Sequence, residues 1–389
     1  MTGGIGKKII SLMCVVGLTF SLFACASTDK KSTDSGGGDR VTIGVSIWNT
    51  QDLLGSRTKK IIDATADALG ADVIYVEHHY DKSLIRTSVN KLCAAGCEGI
   101  IFCPGDNKDM RDAIRTCDRE GVYLAQYYSR IDALTWPEIY ELSVRSPHYV
   151  GAVYEDEVEN GYNLTYYLLN NGDRQIGVIR GEGDDVTFEQ RRMGSDMAVA
   201  EWNIGHPNDR AHLSQTVYAK ATVEASHEAV HELLDMMRNM DGLLVASGKG
   251  AQMEGAVKAI DYHSLEGKVD VVGSGFLSDM KEQLVNGGIY AQSGGHICDS
   301  LYAFLLVYKA VRGEFEVAAD TPGYELECPY IYISSADEYD EYEKYFIDSM
   351  PYSPEEIRDL EKYTPDELSV AVGTLSVKDV RTRHGVRET

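Results

Sequence analysis

Positive charge is what this sequence has least of. Its 389 residues carry 37 Lys and Arg against 61 Asp and Glu, a formal charge of −24. Phosphate backbones are bound by clustered Lys and Arg, so this balance excludes a nucleic-acid partner, and equally adhesion to anionic lipid through a basic surface. Proline is sparse, with 9 in all, and the hydrophobic fraction of 43% is too high for a disordered or low-complexity chain. There is no Gly-x-Ser-x-Gly nucleophile elbow, no EF-hand spacing and no paired zinc knuckle. What remains is an acidic globular chain whose length suits about two domains.

The first forty residues speak of location. Lys7-Lys8 precede the uncharged run Ile9–Phe23, which falls short of the about 20 residues of a membrane span and suits the core of a signal peptide. The run ends in Leu22-Phe23-Ala24-Cys25, which resembles a bacterial lipobox and implies cleavage before Cys25 with a diacylglyceryl group on its thiol. Ser27–Asp39 is polar, rich in Ser and Gly, and reads as a flexible tether. Cleavage also removes Lys7 and Lys8, leaving the mature chain more acidic still. The expected location is extracytoplasmic, on the outer face of a bacterial cell membrane and held there by lipid. Of the six cysteines beyond this region, Cys93 and Cys97 sit four apart at a helix end, a poor geometry for a disulfide. All six (Cys93, Cys97, Cys103, Cys117, Cys298 and Cys328) are expected as free thiols, mostly buried.

From Val41 the chain alternates short β-branched runs with helical stretches. Strands are expected at 41–47, 73–76, 99–102 and 122–126, with helices at 53–69, 83–95 and 109–120 between them. Gly70, Gly99 and Gly121 are expected at helix ends. An irregular stretch, 129–147, contains Trp136-Pro137 and Ser146-Pro147. The alternation then resumes through strands at 149–154, 175–179, 212–218, 242–246, 269–273 and 289–292, followed by a helix at 299–312 and an extended run at 328–333. Such alternation implies right-handed βαβ units and a parallel sheet covered on both faces. The predicted fold class is α/β: two similar doubly wound parallel-sheet lobes joined by a hinge, with a ligand cleft between them, the boundary falling near residue 147. Pro354-Glu355-Glu356 and Pro365-Asp366-Glu367 read as helix starts in the tail.

Several segments resemble one family. Leu92–Asp106 (LCAAGCEGIIFCPGD), Tyr149–Gly172 (YVGAVYEDEVENGYNLTYYLLNNG), Gln190–Gly194 (QRRMG), Gly242–Ile260 and Val269–Phe276 occur in the order and spacing of type I periplasmic solute-binding proteins, the ribose-binding and LacI-like fold. The likeness covers roughly residues 41 to 335. It implies a signal peptide over 1–24, a lipidated Cys25 and tether over 25–40, and an N-terminal lobe of 41–147 plus about 293–325. It further implies a C-terminal lobe of 148–292 plus about 326–350, with a C-terminal extension over 351–389. Ligands of open α/β sheets bind beyond the strands' carboxyl ends, and the resemblance places candidate contacts there. These are Trp48 and Asn49 after the first strand, Tyr127, Tyr128 and Arg130 after the fourth, Arg191 in the family's arginine position, Lys249, Phe276 and Gln292. The family's usual Asp is here Gly275, and its usual Asn falls near Gly248-Lys249; Phe276, Lys249 and the Tyr-rich loops suggest instead a ligand with an aromatic or apolar face, or with a negative group for Lys249.

The function implied is that of a substrate-binding lipoprotein of an ABC-type importer, catalysing nothing and needing no cofactor. Its expected partners are a small sugar or sugar-like molecule (a nucleoside is admissible), a membrane permease and the membrane itself through the lipid anchor; the protein itself is expected to be a monomer. A sensory lipoprotein serving a receptor is one alternative. Another is a zinc-dependent hydrolase, because His227-Glu228-Ala229-Val230-His231 fits H-E-x-x-H. Against it, Leu234 stands where a metzincin glycine would, and Val223, Val230, Leu234 and Met237 give that helix core spacing. Gly248-Lys249-Gly250 opens like a dinucleotide loop but has Met253 at the third glycine. The acidic clusters Glu155-Asp156-Glu157 and Asp337–Glu343 are expected as solvated faces at helix starts.

Overall fold

The computed structural model describes residues 40–79, 81–181, 186–246, 250–314 and 320–385. Cys25 and Lys249 lie outside the described residues. Short, almost wholly buried apolar runs form the strands, and amphipathic segments return the chain between them. The first sheet is built from β1 (Thr42–Ile47), β2 (Asp72–Glu77), β3 (Gly99–Phe102), β4 (Tyr123–Tyr127) and β5 (Tyr149–Tyr154). Its crossovers are α1 (Leu53–Leu69), α2 (Lys82–Ala94), α3 (Asn107–Glu120) and α4 (Pro137–Arg145). The second sheet takes β6 (Gln175–Gly181), β7 (His212–Ala219), β8 (Gly242–Val245), β9 (Asp270–Ser274) and β10 (Ala291–Gly294). Its helices are α5 (Glu157–Asn171), α6 (Val186–Gly205), α7 (Val223–Met236), α8 (Gly250–Tyr262) and α9 (Met280–Asn286).

The chain then returns. α10 (Asp299–Val311), buried along nearly its whole length, packs under β3, β4 and β5. β11 (Tyr324–Glu327) joins the first sheet and β12 (Ile331–Ile333) the second. The strand orders are β11-β5-β4-β3-β1-β2 and β12-β10-β9-β8-β6-β7, so the two lobes repeat one plan. Every pairing is parallel except that of β12 with β10. The predicted fold class therefore holds. The chain crosses between sheets three times: after β5, after β10 and between β11 and β12.

Four local expectations need correction. β5 belongs to the first sheet, so the crossing lies after Tyr154 and not near residue 147. The stretch 129–147 contains α4, which Pro137 opens at its first turn, where a missing N–H costs nothing. Gly99 does not end a helix; it opens β3, where a Cβ would stand 2.1 Å from Val307 Cγ1, and Gly96 takes the left-handed turn instead. Of the extended run expected at 328–333 only β12 (Ile331–Ile333) is strand, and the strand that joins the first sheet, β11 (Tyr324–Glu327), lies before it. In the tail, α11 (Ala336–Tyr342), a π-helical turn at 343–348, α12 (Pro354–Leu360), α13 (Pro365–Gly373) and α14 (Val377–Arg383) follow. Ser353 with Glu356, and Thr364 with Glu367, form capping boxes at the two proline-led starts. α12 packs on α1, and α13 on β11 and α10, so the extension completes the first lobe.

One helix pair positions the second lobe's share of the cleft. α5 and α6 approach so closely that a Cβ on Gly161 would lie 1.9 Å from the Arg191 carbonyl oxygen, and one on Gly194 would lie 1.9 Å from that of Val158. Backbone cannot yield as a flexible side chain does. Gly161→Ala is expected to destabilise the protein by about 2 kcal/mol, the range for overpacking a tight contact; urea denaturation measures it, and an unchanged midpoint would contradict this packing.

Candidate functional site

Parallel strands deliver their carboxyl ends to one edge of each sheet, and the loops that leave those ends meet between the lobes. A cavity of about 560 Å³ lies there. The first lobe supplies the turn after β3 (Cys103–Asp109), the turn after β4 (Tyr128–Arg130) and Tyr154 at the end of β5, and the crossing residues Glu155 and Asp156 lead on to Glu157 and Val158 at the start of α5. Lys82, Asp132 and Trp136 also line it. From the second lobe come Val186, Thr187 and Gln190, at the start of α6.

Helix starts fix these loops. Asp106 accepts the Lys108 amide (2.7 Å), and Asp109 reaches back to accept the amides of Gly105 and Asp106 at 3.1 and 3.2 Å. Asp156 accepts the Glu159 amide at 2.8 Å as the cap of α5. Arg130 lies over the Tyr154 ring at 4.2 Å and donates to its hydroxyl at 2.7 Å. Tyr128 takes a left-handed φ of 63°, a strained conformation of the kind that gathers at functional sites. Its hydroxyl bonds Thr58 at 2.6 Å, and its ring stands between Trp48 and His296.

Behind this wall lies a buried polar layer at the crossings. Arg191, 4% exposed, donates to Glu157 through Nε at 2.6 Å and Nη2 at 2.8 Å, and also to the Tyr330 hydroxyl at 3.2 Å. Tyr330 in turn donates to Glu157 at 3.1 Å. Burial and the Arg191 charge hold His296 neutral, lowering its pKa to about 3. Glu155 sits beside Asp299 on the next crossing. Burial, and then the charge of Asp299, raises Glu155 well above the usual carboxylate range, and burial pushes Asp299 up to about 7.

The sequence-predicted residues divide sharply. Tyr128 and Arg130 line the cavity. Arg191 does not, because its fork is engaged by Glu157. Tyr127 is fully buried, its hydroxyl donating to the Ser46 carbonyl at 3.0 Å, and belongs to the core. Trp48 is also buried and donates to Asp52 at 2.7 Å, while Asn49 accepts the amides of Gln51 and Asp52 at 2.8 Å and so shapes the entry to α1. The Gln292 amide donates to the Gly275 carbonyl (3.0 Å) and accepts from the Leu277 amide (3.4 Å), bracing the loop after β9. Phe276 packs edge-on against Tyr342 with centroids 4.9 Å apart. The reading of Glu155-Asp156-Glu157 as a solvated face is overturned: Glu155 is buried and Glu157 is paired. Asn107, Trp136, Tyr154, Glu155 and Gln190 were not singled out as contacts, although the position after a strand end could have marked Tyr154 and Glu155.

The H-E-x-x-H pair lies elsewhere, on α7 of the second lobe. His231 Nδ1 and His263 Nε2 stand 2.8 Å apart in a direct hydrogen bond, with His227 and Tyr262 packed beside them. Among the described residues no group of three or more His, Cys, Asp or Glu is placed to share a metal ion. The six cysteines in the described residues are free. No described helix is long and apolar enough to cross a membrane.

Residues 43–304 match the periplasmic binding protein domain. No curated protein matches the sequence. Among solved structures, the chain is similar to an ABC transporter periplasmic solute-binding protein from Actinobacillus succinogenes with bound D-allose. That match has a TM-score of 0.65 and 17% identity, covering 78% of this chain and 100% of the other. A solute-binding protein from Bacillus halodurans with bound myo-inositol matches with a TM-score of 0.63 and 16% identity, over 80% and 99% of the two chains. The arabinose transporter component from Shewanella sp., bound to L-arabinofuranose, gives 0.64 and 16%, over 78% and 95%.

Removing one partner of a buried ion pair leaves the other charged and unsolvated. Arg191→Ala is therefore expected to cost about 3–5 kcal/mol of stability. The double change Arg191→Met with Glu157→Leu should recover most of that loss. Chemical denaturation of the three proteins decides it; a near-neutral Arg191→Ala would show that the arginine is not held in this pair.

Proposed function

The chain belongs to the periplasmic binding protein family, and from that premise we propose that it is the substrate-binding lipoprotein of an ABC-type importer. It takes a small polar, sugar-sized ligand between its lobes and presents the closed form to a membrane permease. The observation that carries this reading is the cavity itself. Its volume of about 560 Å³ lies within the roughly 300–1,000 Å³ of small-molecule sites, and both lobes wall it, so a ligand touching both favours closure. The lining supports a hydroxylated ligand, with carboxylates and amides to pair with hydroxyls and aromatic faces to pack on a ring. Tyr128, Arg130, Asp106, Asn107, Tyr154 and Gln190 are the contacts we assign. Members of this family bind and release solutes, and the same role is proposed here, with no chemical step. The D-allose, myo-inositol and L-arabinofuranose bound by similar proteins guide the choice of probes.

A thermal-shift screen with D-allose, myo-inositol, L-arabinose, D-galactose and their amino derivatives tests the reading. A ligand at one hundred times its Kd stabilises by about 2.7 kcal/mol, and Asn107→Ala with Gln190→Ala should abolish the shift while leaving the unliganded melting temperature near that of the parent. Absence of any shift across the screen would count against a carrier of this ligand class.

The lipid anchor is the second part of the proposal, resting on the lipobox-like Leu22-Phe23-Ala24-Cys25. Cys25→Ala should move the protein from the membrane fraction of expressing cells to the soluble one and remove its labelling by palmitate. Labelling that survives the change would place the anchor elsewhere.

A further inference from the structure

The cleft carries an imbalance of charge that narrows the ligand class further, given the carrier reading above. Of its cations, Lys82 stands exposed at the rim and the others are largely engaged. Arg130 is stacked on Tyr154 and bonded to its hydroxyl, with Glu325 at 3.4 Å. Lys108 lies over the Trp136 ring at 4.9 Å. Arg191, whose charge reaches Glu155, gives Nε and Nη2 to Glu157 and Tyr330, while its buried Nη1 has no hydrogen-bond partner among the described residues. Of the carboxylates, Asp106, Asp109 and Asp156 serve helix starts, and Asp132 accepts the Thr135 amide at 2.6 Å.

Glu155 is the exception. It lines the cavity, is only 6% exposed, and its Oε1 receives no hydrogen bond from any N–H or hydroxyl donor among the described residues, its hydrogen-bonding neighbour being the Asp299 carboxyl. Behind it lies Asp299, fully buried and likewise without a cation. Two adjacent buried carboxyl groups with no positive partner leave the floor of the site short of a charged donor. The same cavity presents the ring of Tyr128, and aromatic faces attract cations, as the stacking of Arg130 on Tyr154 already shows.

We propose that the ligand bears an ammonium group that docks against Glu155, so that the cleft selects an amine-carrying polyol, an amino sugar or aminocyclitol, over its neutral parent. An ammonium offers three charged donors where a hydroxyl offers one neutral donor, and charge-assisted hydrogen bonds are roughly twice as strong as neutral ones. At the rim, Gln190 and the Nδ2 group of Asn107 remain available to the ligand's hydroxyls.

The full chain is titrated calorimetrically with D-glucosamine, D-galactosamine and D-mannosamine. Each is compared with its neutral parent sugar and its N-acetyl derivative, in which the charge is removed and the ring kept. At least one amino sugar is expected to bind on the order of tenfold or more tightly than both its parent and its N-acetyl form. Glu155→Gln, which keeps the shape and removes the charge, should bring that ratio close to one. The wild-type comparison stands alone if the variant fails to fold. Parent sugars binding as tightly as the amines would overturn this proposal and leave the carrier reading intact, whereas no binding by any compound of the three sets would overturn both.

Discussion

Parallel pairing is the constraint on which the rest of this molecule depends. A strand that must lie parallel to its neighbour cannot turn back on itself, so each return is made by a helix and every carboxyl end falls on the same edge. With eleven strands paired in this way in two like-ordered sheets, the loops carrying variable chemistry have one place to meet. The cavity is a consequence of connectivity before it is a consequence of any side chain. The chain's acidic surface, with its formal charge of −24, has little bearing on that geometry; a few local groups decide what the cleft can hold.

The three crossings between sheets concentrate buried polarity. Glu155 and Glu157 follow β5, His296 and Asp299 follow β10, and Tyr330 lies between β11 and β12. Charges so placed are costly unless they are paired. Arg191 reaches across from α6 to satisfy Glu157, and Tyr330 closes that network from the third crossing. The pair therefore ties a second-lobe helix to two of the three connections between the lobes. Glu155 and Asp299 lie in the same layer without such a cation, which is why the layer is structural at one end and open to a ligand at the other.

The architecture was legible because it rests on period and punctuation. Buried strands read as β-branched runs, and helices as amphipathic stretches closed by glycines such as Gly70 and Gly121. The site was less legible, for a definite reason. Asn49 in a loop, Arg191 in the first turns of α6 and Gln292 in β10 occupy positions where a ligand contact and a structural brace need the same donors and acceptors. The sequence pattern cannot tell an amide that meets a sugar from one that meets the Gly275 carbonyl. Glu155 was hidden in the opposite way: three consecutive acids imply water, yet the first is drawn under the lobe junction while the second caps a helix. Trp136-Pro137 looked like a break because proline ends helices from within, but here it begins one.

The tail adds an asymmetry to the way the cleft can open. α11 and the turn after it touch both lobes: Asp340 pairs with Lys281 at the start of α9, Tyr342 packs on Phe276, and the Ile347 carbonyl accepts from Lys60 on α1 at 3.1 Å. These contacts lie on the face of the first lobe that carries α1 and α10, whereas the cavity opens toward α2, α3 and α4. A strap on one face leaves the other free to part, so opening would expose the α3 and α6 starts first. The Lys281–Asp340 pair is about half exposed at both ends, and exposed pairs contribute at most about 1 kcal/mol. The restraint must rest instead on the buried Tyr342 ring between Phe276 and Phe346. Such a contact guides the direction of a hinge without locking it, which is what a carrier that must both capture and release requires.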